Sequence, residues 1–272
     1  GIRDPDHSLV GSEMCIRDRS RVEIRDGRRV IAIAQAVHRK IGLPLTLVTR
    51  GPLWTETLDP DRMRAAFKSL RTAIKGPLFI TPASAETIPN RRFWPVMTAA
   101  TTAHLRLKPD LRGDMHGKWR NRLSFANRSG LDTRLDIGRR CNPNWLLDAD
   151  RHQQKVKRYR SLPSSFTKSW QAADPKNILM ISAQREGRNV AAMLFLRHGN
   201  AATYHVGWTG DEGRRTSAHH LTLYRAAEWL CANGVHDLDL GLVNTVDTPG
   251  LARFKLGTGA APVATGGTWL GI

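Results

Sequence analysis

The chain has few cysteines and lacks the patterns that accompany disulfide, zinc or thiol chemistry. Its 272 residues contain three cysteines, Cys15, Cys141 and Cys231, without a CxxC pair or a Cys/His spacing that suits zinc. A Gly-x-Ser-x-Gly motif is absent too, which argues against a serine hydrolase. We therefore expect neither a metal site nor a covalent nucleophile, and we expect a reducing, cytoplasmic environment.

Long apolar runs are also missing. None approaches the roughly 18 residues needed to cross a bilayer, and no charged-then-apolar start resembles a signal peptide. We expect no transmembrane segment. Hydrophobic residues make up 40% and charged residues 24% of the chain, a composition typical of a globular protein with a buried core.

Acidic residues are scarce relative to basic ones, with 24 Asp and Glu against 42 Lys and Arg and a net charge of +18. The excess is concentrated between Arg106 and Arg160, where fifteen Lys and Arg face six Asp and Glu. Such a surplus predicts an anionic partner: a nucleotide cofactor, tRNA, a phosphorylated lipid precursor or an acidic membrane face. The alternative is a solvated, arginine-rich surface.

The first twenty residues look foreign to the rest. They have no apolar periodicity, and the run from Met14 to Asp18 (Met-Cys-Ile-Arg-Asp) resembles translated sequencing-adapter DNA. We interpret residues 1–20 as an adapter scar that is disordered and packs against nothing. A disordered natural tail is the alternative.

Strand-like and helix-like segments alternate after residue 20, without internal repeats. Ile, Val and Leu predict strands over residues 30–37, 43–48, 78–81 and 97–107. Asp59-Pro60 predicts a helix start, and Met63, Phe67, Leu70 and Ile74 form one apolar stripe. We place the end of this first unit near Lys108, just before Pro109.

The second half continues in the same manner. Helices are predicted over residues 110–130, 145–160, 165–173, 218–233 and 251–256, and strands over 178–184, 190–197, 203–208, 237–243 and near 262–269. Gly113 and Gly117 weaken the first of these helices, so packing must hold it together. This order predicts a mixed α/β layer over residues 109–272.

Several motifs, in order, resemble the GNAT superfamily and its Fem-type members, the peptidoglycan-bridge aminoacyltransferases. They are Arg50-Gly51-Pro52, the basic run from Lys118 to Leu131, Asp237-Leu-Asp-Leu-Gly241 and Leu251-Ala-Arg-Phe-Lys-Leu-Gly257. The resemblance implies an α/β fold of two GNAT-like units with mixed, mostly antiparallel sheets, the unit over residues 21–108 being incomplete. It also implies two splayed central strands between which the pantetheine arm of the donor pairs.

The chain departs from the family at two places. The usual pyrophosphate loop is replaced by Gly210-Asp-Glu-Gly-Arg-Arg-Thr-Ser217, whose Arg214, Arg215, Thr216 and Ser217 could still hold phosphate at a helix N-terminus. An ordinary loop with Ser217 as N-cap is the alternative. The coiled-coil insertion of tRNA-dependent Fem enzymes is absent, which favours acyl-CoA over aminoacyl-tRNA as the donor.

By this resemblance the chain is an N-acyltransferase that moves an acyl or aminoacyl group to an amine by direct attack, without a metal. The acceptor would be an amine on a phosphorylated cell-wall precursor. Backbone N–H groups near Met193, Leu194 and Phe195 would stabilise the oxyanion, in a groove between the strands at 190–197 and 203–208. The donor's phosphates would face this groove.

Candidate catalytic and substrate-binding residues follow from the same motifs. Asp239 is the first choice for the base and His205 the second, although each is also typical of a structural strand residue. Lys255 would carry its ammonium into the cleft, with Phe254 fixing the helix from the core, and Lys118 and Arg122 would bind substrate. Two other classes stay open: a basic nucleic-acid-binding protein, and a catalytically degenerate GNAT-like binding module.

Overall fold

The computed structural model describes residues 18–41, 43–84 and 92–272. The strands are β1 (Arg19–Asp26), β2 (Arg29–Ile41), β3 (Leu43–Thr49), β4 (Leu53–Trp54), β5 (Leu78–Thr81), β6 (Phe93–Met97), β7 (Thr101–Arg106), β8 (Asp132–Ile137), β9 (Ile178–Arg185), β10 (Arg188–His198), β11 (Ala201–Thr209), β12 (Asp237–Leu242), β13 (Ala261–Ala264) and β14 (Thr268–Gly271). The helices are α1 (Pro60–Ala73), α2 (Gly117–Asn127), α3 (Asn144–Lys157), α4 (Ser164–Ala173), α5 (Asp211–Arg215), α6 (Ala218–Ala232) and α7 (Pro249–Leu256). In the described part of the chain, no helix is both long and apolar enough to cross a membrane.

The chain divides into two units, each built on one sheet. The first unit runs to Thr101 and includes Val263–Ile272, and the second spans Thr102–Pro262. The first sheet has the order β1-β2-β3-β5-β14-β6, with β4 on β2, and the second has the order β13-β7-β12-β11-β10-β9-β8. The fold is thus mixed α/β with mostly antiparallel sheets, as the sequence predicts.

Local signals explain α1, the helix described in the first unit. Asp59 accepts hydrogen bonds from the backbone N–H groups of Asp61 and Arg62, and these bonds lower the pKa of its carboxyl. Pro60 opens the helix, where a missing N–H costs nothing. Phe67 and Leu70, on the predicted apolar stripe, are fully buried against the sheet.

Helices cover both faces of the second sheet. Successive residues of β9 and β10 point to opposite faces, so Leu179 and Phe195 belong to one core and Met180 and Leu194 to another. Helices α2 and α6 pack on the first face, with Phe254 of α7 at its margin. Helices α3 and α4 pack on the second face.

The boundary between the units differs from the predicted one near Lys108. The apolar stretch 97–107 reads as one strand, but it forms the end of β6 and the whole of β7, which belong to different sheets. The chain therefore changes units near Thr101. The last predicted strand is also two, and β14 returns to the first sheet between β5 and β6.

Two further expectations need correction. The helix predicted over 110–130 begins only at Gly117, because the Asp110 side chain accepts from the N–H groups of Arg112 and Gly113 and holds this segment as a turn. The proposed scar ends too late, because Arg19 and Ser20 pair with Val37 and Ala36 in β1. Met14 and Ile16 lie outside the described residues.

Candidate functional site

The central strands of the second sheet separate. β11 and β12 run parallel and pair only from Ala201–Asp237 to Thr203–Asp239. Beyond Thr203, β11 continues to Thr209 along β10, while β12 continues along β7. One edge of β11 thereby leaves its neighbour, which gives the splayed arrangement that the resemblance implies, but between β11 and β12.

The prediction of a groove between β10 and β11 is therefore wrong. Met193, Leu194 and Phe195 are fully buried and pair with β9 on one side and β11 on the other. A central strand has its backbone N–H groups engaged in the two ladders, so these residues cannot donate to an oxyanion. The register between β10 and β11 shifts opposite His205, which places a β-bulge on β11 itself.

A cavity of about 690 Å³ lies among α2, α6 and α7. Its charged wall consists of Lys118, Arg122 and Arg253, and Trp119 and Phe254 form an aromatic wall. An adjoining cavity of about 360 Å³ shares Lys118 and Arg122 and adds Arg215. The predicted substrate residues Lys118, Arg122 and Phe254 thus line one cavity, whose size is typical of a small-molecule site.

Two adjacent histidines at the start of α6 are held neutral. Burial lowers the pKa of His220 to about 4, and neighbouring His219 and Arg122 add to the effect. Its ring packs against Trp119 and Phe254, with centroids 4.9 and 5.1 Å away. Burial likewise lowers the pKa of His219 to about 4, although its Nε2–H donates to the Trp208 carbonyl at 2.8 Å. The positive charge of the cavity therefore comes from arginine and lysine.

The segment that replaces the pyrophosphate loop folds differently from the prediction. Arg214 and Arg215 end the short helix α5 instead of opening a helix, and Arg214 pairs with Asp211 at 2.5 Å. The Thr216 hydroxyl is buried and donates to the Glu212 carbonyl at 2.8 Å. Ser217 precedes α6 with φ +57° and makes no side-chain capping bond. Of the four predicted residues, Arg215 lines the smaller cavity.

Gly213 allows this segment to pack closely on the sheet. A Cβ at that position would lie 2.2 Å from the Val190 carbonyl oxygen and 2.5 Å from Thr209 Oγ1. Neither neighbour is a flexible side-chain end, so a larger residue would move α5 away from β10.

Lys255 and Phe254 exchange their predicted roles. Lys255 is 5% exposed, and its Nζ donates to the Leu242 carbonyl at 2.8 Å instead of reaching the cavity. Burial lowers the pKa of its ammonium, and Asp239 opposes that shift. Phe254 is half-buried and lines the cavity, and its carbonyl accepts from Trp119 Nε1 at 3.0 Å. The buried lysine therefore holds α7 to the end of β12.

The two candidate bases have separate surroundings. Asp239 is half-buried at the last β11–β12 pair, and its Oδ1 accepts from the Gly241 N–H at 2.7 Å. His205 faces α4, where its Nε2 lies 2.8 Å from the Thr167 hydroxyl oxygen. Burial lowers the pKa of the His205 imidazole, so the ring is neutral.

A polar network on the other face of the sheet was not predicted from the sequence. Asp150 of α3 is 6% exposed and accepts a 2.6 Å hydrogen bond from the Tyr159 hydroxyl. Gln153 donates to the Tyr159 oxygen at 2.8 Å and lies 3.4 Å from the Gly207 carbonyl oxygen. The signal was present: Asp150 falls on the stripe of Leu146 and Leu147, where a carboxylate must be buried.

The first unit has a cavity of its own. It measures about 550 Å³ and is lined by Arg21, Glu23 and Arg50 together with exposed Ile33 and Leu53. Arg50 belongs to the Arg-Gly-Pro segment and has φ +53°. Among the described residues of either unit, no group of three His, Cys, Asp or Glu side chains could hold a metal ion.

Comparisons with known proteins agree with this geometry. Residues 144–260 match the family model for an acetyltransferase (GNAT) domain. No curated protein matches the chain. The fold is similar to that of FemX, with a TM-score of 0.72 and 13% identity over 93% of this chain and 88% of that one.

Two other solved structures share the fold. L-PGS from Bacillus licheniformis has a TM-score of 0.55 and 11% identity, over 93% of this chain and 82% of that one. A tandem GNAT protein from the clavulanic acid biosynthesis pathway has a TM-score of 0.52 and 12% identity, with the same coverage. Within the second unit, residues 144–260 thus match a GNAT domain model. The fold as a whole is similar to those of FemX and of a tandem GNAT protein.

Proposed function

We propose that the second unit transfers an acyl group from a CoA thioester to an amine. The observation that carries this proposal is the separation of β11 from β12 beyond Thr203, on a sheet whose helices frame a cation-lined cavity. Lys118, Arg122 and Arg253 would bind the phosphates of the donor, because guanidinium and ammonium groups form strong, charge-assisted hydrogen bonds to phosphate. Aminoacyl-tRNA, a second anionic donor, would use the same cations.

The transfer needs no covalent enzyme intermediate. The acceptor ammonium first loses a proton to the base, and the neutral amine then attacks the thioester carbonyl carbon, so that the C–N bond forms and the carbonyl oxygen becomes an oxyanion. Collapse of this intermediate breaks the C–S bond, and the departing CoA thiolate takes the second proton from the nitrogen. Backbone N–H groups on the open edge of β11 would replace Met193, Leu194 and Phe195 as oxyanion donors. Asp239, at the last pair before the strands part, is the predicted base nearest to this edge.

The acceptor is proposed to be an amine on a cell-wall precursor, handled in the cytoplasm. The support is the likeness in fold to FemX and a net charge of +18, which suits a phosphorylated substrate.

Calorimetric titration of CoA tests the donor proposal. Arg122→Ala should weaken binding by at least about tenfold, since a hydrogen bond to a charged group contributes about 1.5–3 kcal/mol. Arg120→Ala is the matched control, because Arg120 is an exposed arginine of α2 outside both cavities. Equal losses in both variants would indicate general charge attraction. Binding of random RNA without CoA binding would favour the nucleic-acid alternative.

A further inference from the structure

The segment after α3 folds back over a buried carboxylate. Arg158 ends α3 with φ +53°, and the Tyr159 N–H bonds to the Gln154 carbonyl at 3.2 Å. This left-handed cap reverses the chain and returns the Tyr159 ring to the helix it has just left. Ser161 follows, and its hydroxyl accepts from Gln154 Nε2 at 2.7 Å. The loop therefore closes over Asp150.

Neutral groups supply the hydrogen bonds to the Asp150 carboxylate. Oδ1 accepts from the Tyr159 hydroxyl at 2.6 Å, and Oδ2 accepts from Gln154 Nε2 at 2.7 Å and from the Ser161 hydroxyl at 3.3 Å. These donors keep the carboxylate hydrogen-bonded, and none of them carries a positive charge. A charge buried in this way attracts a cation.

Tyr159 connects the buried Asp150 carboxylate to a more exposed position. Its hydroxyl proton points to Asp150, so its oxygen presents lone pairs elsewhere, and one of them accepts from Gln153 Nε2 at 2.8 Å. The Gln153 amide is oriented by Lys157, whose Nζ donates to Oε1 at 3.1 Å. Tyr159 is 36% exposed, and its oxygen has one lone pair besides the one that accepts from Gln153. That lone pair accepts an N–H donor.

The network adjoins the open edge of β11. Gln153 Nε2 lies 3.4 Å from the carbonyl oxygen of Gly207, which follows the last β11–β12 pair at Thr203. A Cβ at Gly207 would lie 1.8 Å from the Tyr204 hydroxyl oxygen, so a second phenol lies against the same stretch. Burial raises the pKa of Tyr204, and the Asp150 charge adds to that shift. Gln153 and the Tyr204 hydroxyl therefore lie against Gly207, and Gln153 connects this position to Tyr159 and Asp150.

We propose that Tyr159, backed by Asp150, forms the binding site for the amine acceptor, a primary ammonium group. The ammonium donates to the Tyr159 oxygen, and the Asp150 charge stabilises it through the shared hydrogen bond. Tyr159 contacts the substrate, and Asp150 is a positioning residue that acts through Tyr159. This inference rests on the proposed acyl transfer and names the surface that receives its acceptor.

Fluorine NMR tests this directly, because the chain has three tyrosines, Tyr159, Tyr204 and Tyr224. The protein is labelled with 3-fluorotyrosine, and Tyr→Phe variants assign the signals. Titration with n-propylammonium chloride should shift the Tyr159 signal to saturation and leave Tyr224 unmoved. Sodium chloride at equal ionic strength should shift neither. A Tyr159 signal that does not respond to the amine overturns the proposal.

Two variants separate a specific role from a structural one. Asp150→Asn keeps the side-chain shape but removes the charge, and it should abolish the amine-dependent shift. Asp148→Asn should preserve it, since Asp148 is an exposed residue of the same helix that pairs with Arg151. An unchanged shift in folded Asp150→Asn contradicts the role of Asp150. Should that variant fail to fold, the wild-type titration alone still decides.

The experiment uses no donor, so its result is independent of the CoA titration. Loss of CoA binding in Arg122→Ala together with a silent Tyr159 signal would keep the donor site and overturn this inference. A responsive Tyr159 signal without CoA binding would keep the amine site and overturn the proposed donor.

Discussion

The two faces of the second sheet differ in the polar groups near their openings. On the face of α2, α6 and α7, exposed Lys118, Arg122 and Arg253 surround a cavity that also holds the neutral His220. On the face of α3 and α4, Asp150 and Tyr159 present a buried negative charge and an oriented phenol. A sheet with separated strands can thus receive an anionic donor from one side and a cationic acceptor from the other.

The largest effect on the free energy of unfolding is expected at Lys255, a buried charge that supports the fold, and not at the exposed cations that line the cavity. Lys255→Ala removes a buried side chain and leaves the Leu242 carbonyl without its donor, so the free energy of unfolding should fall by about 2–3 kcal/mol. Arg253→Ala, an exposed neighbour in α7, should change it by less than about 0.5 kcal/mol. Hydrogen exchange of peptides from α7 and β12 measures both. Equal hydrogen-exchange protection in the two variants would contradict the structural role of Lys255 and would favour the predicted position of its ammonium in the cleft.

A smaller effect on the free energy of unfolding is expected from the neutral histidines. His219 and His220 have folded pKa values of about 4, below the 6.5 of a free histidine, so the unfolded chain binds more protons between these values. Their contribution to stability is fully present above pH 6.5 and is lost as the pH falls towards 4. His220→Phe should reduce this slope by up to about 1 kcal/mol per pH unit.

The measurement is urea unfolding at several pH values, with hydrogen exchange of α6 peptides assigning the change to the second unit. Val156→Ala, at an exposed position on α3, is the control and should leave the slope unchanged because valine does not titrate. An unaltered slope in His220→Phe would mean that His220 has the same pKa in the folded and the unfolded chain, which would contradict the effect of burial on this ring.

The smallest effect distinguishes two adjacent arginines. Arg215 lines the smaller cavity, whereas Arg214 is paired with Asp211. Arg215→Ala should weaken CoA binding about threefold, as expected for one exposed charge, and Arg214→Ala should leave it unchanged. Calorimetry at two salt concentrations checks both, because the Arg215 contribution should shrink at high salt. A larger loss of CoA binding in Arg214→Ala than in Arg215→Ala would indicate that the CoA phosphates bind along α5.

Elements with local signals could be predicted from the sequence. α1 begins at its cap and proline and β5 matches its predicted span, because capping bonds and short buried runs depend on neighbours in the chain. β8 escaped prediction because it is a mostly exposed edge strand whose apolar residues are only Leu135 and Ile137. The division of residues 97–107 between two sheets depends on distant partners, which no local pattern contains.

The predicted residues of the candidate site also divide into those with a local signal and those that depend on distant parts of the chain. Lys118, Arg122 and Phe254 were found through motifs, and one cavity brings them together. Lys255 was placed in the wrong environment, since helical spacing alone did not show that β12 ends beneath α7. The predicted oxyanion role of Met193 to Phe195 is wrong because the order of the strands decides which strand edge is open. Asp150 carried a readable signal, a carboxylate on an apolar stripe, but its partner Tyr159 depends on the turn at Arg158.

A crystal structure with bound desulfo-CoA tests the account most directly. We predict that its phosphates contact Lys118 and Arg122 and that its pantetheine arm runs along the β11 edge beyond Thr203. Density for CoA on the α3 and α4 face, or in the first-unit cavity at Arg21 and Arg50, would contradict the assignment of the two faces.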